Sequence, residues 1–112
     1  KSKSDSTIKT WIDDNLKDKS CLVVLIGKKT SERKWVNYEI NRAWALGKGV
    51  CGIYIHKLED VLGNQKKKKK NPLASHLPIF ESTYSTSKYV YDDIKNNIAE
   101  LVEDAIKVRS RY

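Results

Sequence analysis

The residues of this chain best suited to chemistry stand in the run Trp35-Val-Asn-Tyr-Glu39-Ile40. In a helix, positions four apart share a face, so an indole and a carboxylate lie one turn apart at Trp35 and Glu39, while Val36 and Ile40 share the core-facing side. A helix beginning near Ser31 puts Glu39 about seven residues in, roughly 10 Å from its start. That start follows an apolar strand, and open parallel sheets bind ligands beyond the carboxyl ends of their strands. A carboxylate held there in a water-poor pocket can stabilise positive charge that develops on a substrate. Spacing alone also allows, and on its own favours, an exposed Glu39 in an ion pair with Arg42 or Arg33 and a Trp35 that only packs.

Other chemical templates find no match. The two histidines, His56 and His76, are far apart, with no Cys-x-x-Cys or His-Glu-x-x-His near them, which argues against a metal site. There is no Gly-x-Ser-x-Gly elbow, and Gly27 to Thr30 lacks the glycines of a phosphate or dinucleotide loop. His56 follows the second apolar strand and could face a site at that edge, although a solvated strand-end histidine is the plainer expectation. Tyr38, Arg42 and Trp44 fall on or near the outer face of their helix and are residue types favoured at contact hot spots, so self-association is an alternative use for them. Tyr84, Tyr89 and Tyr91 are expected to pack against the last helix.

These residues need a scaffold. Ile8, Trp11, Ile12 and Leu16 recur at helical spacing, with Ser4, Asp5 and Ser6 as capping candidates, predicting a helix from about Ser6 to Lys17. Cys21-Leu-Val-Val-Leu-Ile26 is continuously apolar and β-branched, as expected of a strand buried on both faces, and Gly27 ends it. After a polar loop at Lys28 to Thr30, Ser31 to Leu46 aligns Val36, Ile40, Ala43 and Leu46 or Trp44 on one side, with Gly47 and Gly49 as a stop. Val50 to Ile55 makes a second strand, so strand, helix and strand span the length of a right-handed crossover. The stretch from His56 to Phe80 is irregular, with a short strand possible near Leu77 to Phe80. From Tyr89 or Tyr91 to Val108, the spacing of Tyr91, Ile94, Ile98, Leu101, Val102 and Ala105 predicts an amphipathic helix that covers a sheet face. The expected fold is a single α/β domain with a parallel sheet. Two clear strands and one short one are little sheet for three helices, so at least one strand is expected upstream.

At 112 residues the chain supports one domain. Hydrophobic residues make up 39% and charged residues 32%, a globular composition, and the longest apolar run is too short to cross a bilayer. The formal charge is +8, but five of the basic residues are the run Lys66 to Lys70, without which the balance falls to +3. Such a run is ordinarily a solvated loop, and no aromatic residues interleave with it, which disfavours nucleic-acid binding. Cys21 and Cys51, in a chain that does not open on a basic-then-apolar leader pattern, are expected to be reduced, small buried hydrophobes in a cytoplasmic protein.

With these residues in place, the chain resembles the TIR-like family found in Thoeris anti-phage systems. The resemblance runs through Leu22-Val-Val-Leu-Ile-Gly-Lys-Lys-Thr30, Arg33-Lys-Trp-Val-Asn-Tyr-Glu-Ile40, Gly47-Lys-Gly-Val-Cys-Gly-Ile-Tyr-Ile-His56 and Asn71-Pro72, from Ile8 onward. It implies a flavodoxin-like (TIR-like) three-layer fold whose N-terminal strand lies upstream of these residues. The Trp-x-x-x-Glu-Ile element is similar to that of NAD-cleaving TIR domains, in which the glutamate is catalytic and the tryptophan lines the pocket, and this implies those roles for Glu39 and Trp35. Thr30, Arg33, Tyr38 and His56 are the further substrate-binding candidates. The implied activity is cleavage of NAD, as substrate and not cofactor, at its nicotinamide-ribose bond to make a cyclic ADP-ribose-type signal that activates a separate effector. The alternative is a non-catalytic TIR-like module that associates with itself or a TIR-like partner.

Overall fold

The computed structural model describes residues 4–27, 30–58, 65 and 71–112; the lysine run at 66–70, read above as a solvated loop, lies outside the described residues. The first helix, α1 (Asp5–Leu16), starts at Ser4, whose hydroxyl accepts the Thr7 N–H at 3.3 Å and caps an otherwise open helix end. Strand β1 (Cys21–Ile26) follows after a short polar loop and matches the predicted bounds. A 3₁₀ turn at Thr30–Glu32 leads into α2 (Lys34–Ala45), which ends at Gly47 with φ of 80°, a left-handed conformation that glycine adopts freely. Strand β2 (Gly49–Tyr54), the two-residue β3 (Ile79–Phe80) and the long α3 (Ser87–Ser110) complete the order.

The sheet runs β1-β2-β3 with both pairings parallel, Cys21 opposite Gly49 and Ile26 opposite Tyr54. This is the expected α/β architecture, consistent with a flavodoxin-like TIR fold. Side-chain alternation along the strands divides the core in two. On one face, Val24, Ile26 and Val50 pack with Ile12 and Leu16 of α1, Ile40 and Ala43 of α2, and Leu73 and Leu77. On the other, Cys51 and Ile53 pack with Leu101 and Ala105 of α3.

Several packing expectations change. Trp11 is 62% exposed, because α1 turns only Ile12 and Leu16 fully inward. The prediction that β1 is buried on both faces differs at Leu25, which is 56% exposed: among the described residues β1 is the outermost strand, and α3 packs mainly over β2. For the same reason Tyr91 and Ile98 stay exposed on the flank of α3, and Tyr84 and Tyr89 project into solvent with their rings 6.0 Å apart.

The seating of α3 depends on Gly49. A Cβ there would lie 2.9 Å from the backbone carbon of Ala105 and from the Ile106 nitrogen, where helix backbone cannot yield as a side chain can. Gly49→Ala is therefore expected to lower stability by about 1–3 kcal/mol, the usual cost of overpacking a core, in urea unfolding monitored by circular dichroism. An unchanged midpoint would show that α3 shifts freely.

Candidate functional site

Beside β1, which pairs only with β2 among the described residues, lies a hollow of about 560 Å³. Its floor is apolar, from Leu22, Val24 and Leu25 of β1 with Ile55 beyond β2, and its polar rim comes from Gly27, Thr30, Arg33 and Glu39. The rim is built by the turn after β1. The Gly27 N–H donates to the Thr30 hydroxyl at 2.7 Å, and that hydroxyl donates to the Leu25 carbonyl at 3.2 Å. Thr30 is thus buried with both hydroxyl functions used, which sets where α2 begins. From there α2 carries Val36 and Glu39, one turn apart, over the hollow.

Glu39 is half-buried, and its carboxylate has no hydrogen-bond or ion-pair partner among the described residues. The ion pair with Arg42 or Arg33 that spacing allowed does not form. Arg42 Nε instead donates to Asp13 Oδ1 of α1 at 2.9 Å, and the Tyr38 hydroxyl donates to the same oxygen at 3.2 Å. The Arg33 guanidinium, on the rim with Glu39, is exposed and makes no ion pair among the described residues. Burial pushes the Glu39 carboxyl above its ordinary value, with no cation paired to it among the described residues.

Of the candidates, Thr30, Arg33 and Glu39 come together at one hollow. Trp35 does not line it; its ring packs against the α1/α2 core, edge-on to Tyr38 with centroids 5.7 Å apart and under the Lys34 ammonium. Tyr38 and Arg42 serve to tie α2 to α1 through Asp13. Trp44, the third outer-face residue, stands among His76 and Tyr112, with the Arg109 guanidinium 4.5 Å from its ring, so all three are engaged inside the chain. His56 is not a solvated strand end: its imidazole is 11% exposed and its Nε2 lies 3.1 Å from Glu81 Oε2. Nothing in local spacing marks Asp13 or Glu81 as partners, since each lies 25 or more residues from the group it holds.

Two outcomes follow for stability. Thr30→Val removes a buried hydroxyl that serves two backbone groups, and is expected to cost about 1–3 kcal/mol in denaturant unfolding. Glu39→Gln has the opposite sign. A carboxyl whose folded pKa is raised gives most stability below its unfolded pKa and loses it as pH rises through the folded one. The Gln variant should therefore melt above wild type at neutral pH, and the gap should close in the acid range where Glu39 is protonated in both states. A variant that melts lower at neutral pH would indicate a Glu39 ion pair.

The chain is 40% identical over 72 residues, 64% of its length, to a Bacillus cereus (strain MSX-D12) protein named "Putative cyclic ADP-D-ribose synthase ThsB1". The match spans 38% of that relative's length. Residues 1–60 match the family described as Thoeris protein ThsB, TIR-like domain, and include Thr30, Arg33, Trp35 and Glu39. This chain belongs to the Thoeris ThsB TIR-like domain family.

Proposed function

We propose that this chain carries the NAD-cleaving centre of a cytoplasmic anti-phage signalling protein, with Glu39 as its catalytic carboxylate. The observation that carries this is the state of Glu39: half-buried, without a hydrogen-bond or ion-pair partner among the described residues, and facing a hollow that runs along β1 to the turn after its carboxyl end. A carboxylate with a structural role would be expected to have a cation or N–H partner, and the nearby arginine of its own helix is committed to Asp13. The relative's name, "Putative cyclic ADP-D-ribose synthase ThsB1", supports NAD as the substrate.

The chemistry needs little beyond position and charge. As the nicotinamide-ribose bond breaks, its electron pair leaves with nicotinamide and positive charge grows on the ribose C1′ and ring oxygen. Glu39, shielded from bulk water on one side, accepts hydrogen bonds from the ribose hydroxyls and stabilises that charge. The apolar floor of Leu22 and Val24 excludes water beneath the sugar, and the exposed Arg33 is placed to meet the pyrophosphate. Nicotinamide departs, and an internal nucleophile of the retained ADP-ribosyl group closes a ring at C1′ with loss of its proton, or water adds there and gives ADP-ribose. The resulting nucleotide then reaches a separate effector. Thr30 fixes the rim. Trp35 and Tyr38 act at one remove, by holding α2, and His56 stands by the next strand end with Glu81.

The test is nicotinamide release by protein containing this chain, beside Glu39→Gln. Loss of about 10²-fold or more in the variant is expected, from removal of a charge-stabilising group. Wild-type kcat/KM should fall as pH drops through the raised Glu39 pKa, because the ionised form is the active one. If neither protein releases nicotinamide under conditions that promote assembly, the chain works instead as a non-catalytic TIR-like module that binds another copy or a TIR-like partner.

A further inference from the structure

On the sheet face opposite α2, the two cysteines of the chain meet. Cys21 opens β1, and Cys51 lies two residues into β2, opposite Val23. They are diagonal neighbours on the face that α3 covers, with their Sγ atoms 3.9 Å apart and both thiols free. Their surroundings differ. Cys51 is fully enclosed by Ile53, Leu101 and Ala105, whereas Cys21, the first residue of β1, is only partly buried among the described residues. A small oxidant therefore reaches Cys21 first and finds Cys51 immediately behind it.

We propose that Cys21 and Cys51 form an oxidant-responsive dithiol, in which hydrogen peroxide oxidises Cys21 and Cys51 resolves the product as an intrachain disulfide. The Cys21 thiolate attacks one peroxide oxygen, the O–O bond breaks, and hydroxide leaves. Cys51 then attacks the sulfenyl sulfur, the S–O bond breaks, and the oxygen departs as water with the Cys51 proton. Two thiols lose two electrons together and one peroxide gains them. The contact favours this order, since the hydrogen bond from Cys51 lowers the Cys21 pKa, while the same bond and then burial raise that of Cys51. A low-pKa accessible thiol beside a second thiol is the arrangement that stops oxidation short of sulfinic acid.

Closing the bond requires movement. The sulfurs must approach to about 2.05 Å, and sheet spacings put diagonal Cα atoms about 8 Å apart, beyond the usual disulfide span. The N-terminal end of β1 can supply this motion: its first link to β2 is the single Gly49 N–H to Ser20 carbonyl bond of 2.9 Å. A disulfide that pulls the strand is readily reopened by a thiol, so the modification is reversible.

The experiment treats the reduced chain with hydrogen peroxide and follows free thiols and intact mass. The expected result is joint loss of both thiols, a mass lower by two hydrogen atoms, no covalent dimer, and full recovery with dithiothreitol. Cys51→Ala should leave Cys21 as a sulfenic acid trapped by dimedone, and Cys21→Ser should slow oxidation of Cys51 at least about tenfold. Wild-type protein in which Cys21 gains oxygen while Cys51 remains alkylatable, or in which disulfides form only between chains, would overturn the proposal.

Discussion

Parallel pairing of Cys21–Ile26 with Gly49–Tyr54 is the constraint on which the rest of this molecule depends. Two parallel strands must be joined by a crossover, and the crossover must be long enough to return over the sheet. Here α2 is that crossover. Its start is set by where β1 ends, and its apolar side, Ile40 and Ala43, is held on Val24, Ile26 and Val50. Once α2 lies in that position, the lateral position of Glu39 is no longer free. It hangs beside the core stripe, over the edge of β1, where no further strand is paired among the described residues.

The polar contacts around α2 then determine what kind of carboxylate Glu39 is. Arg42, one turn away at close helical spacing, could neutralise it. Asp13 prevents this by drawing Arg42 and Tyr38 toward α1. Partly exposed pairs of this kind contribute little to stability, so their larger effect here is on where the charge goes. At the other end of the hollow, Thr30 uses its hydroxyl on Gly27 and Leu25 and leaves the rim rigid without adding charge. Among the described residues the hollow thus carries a carboxylate and a guanidinium without ion-pair partners beside an apolar floor, the combination on which the proposed chemistry rests.

How much of this could be read in advance follows from the range of each interaction. The strands and helices are governed by local patterning, and β1 and α2 appear where the apolar run and the Val36, Ile40, Ala43 spacing put them. Burial was less legible, because periodicity reports an apolar face and not the width of the sheet beneath it. Tyr91 and Ile98 have the right spacing for a core, but α3 is centred on β2 and leaves that flank in solvent. Glu39, Thr30 and Arg33 are close in sequence and were found together. Trp35 was expected beside Glu39, yet residues four apart on a helix are offset by about 40°, enough to turn one toward the strand edge and the other toward α1. Asp13 and Glu81 act across distances in sequence at which no local signal exists.

A Glu39 carboxylate perturbed by burial is what the proposed chemistry requires, and carboxyl-carbon NMR titration of Glu39 addresses that directly. A midpoint above the ordinary glutamate range, unchanged when Arg42 is replaced by methionine, is the predicted result. A midpoint at or below that range, or one that rises in the Arg42→Met variant, would mean that Glu39 is held in an ion pair and would contradict the account.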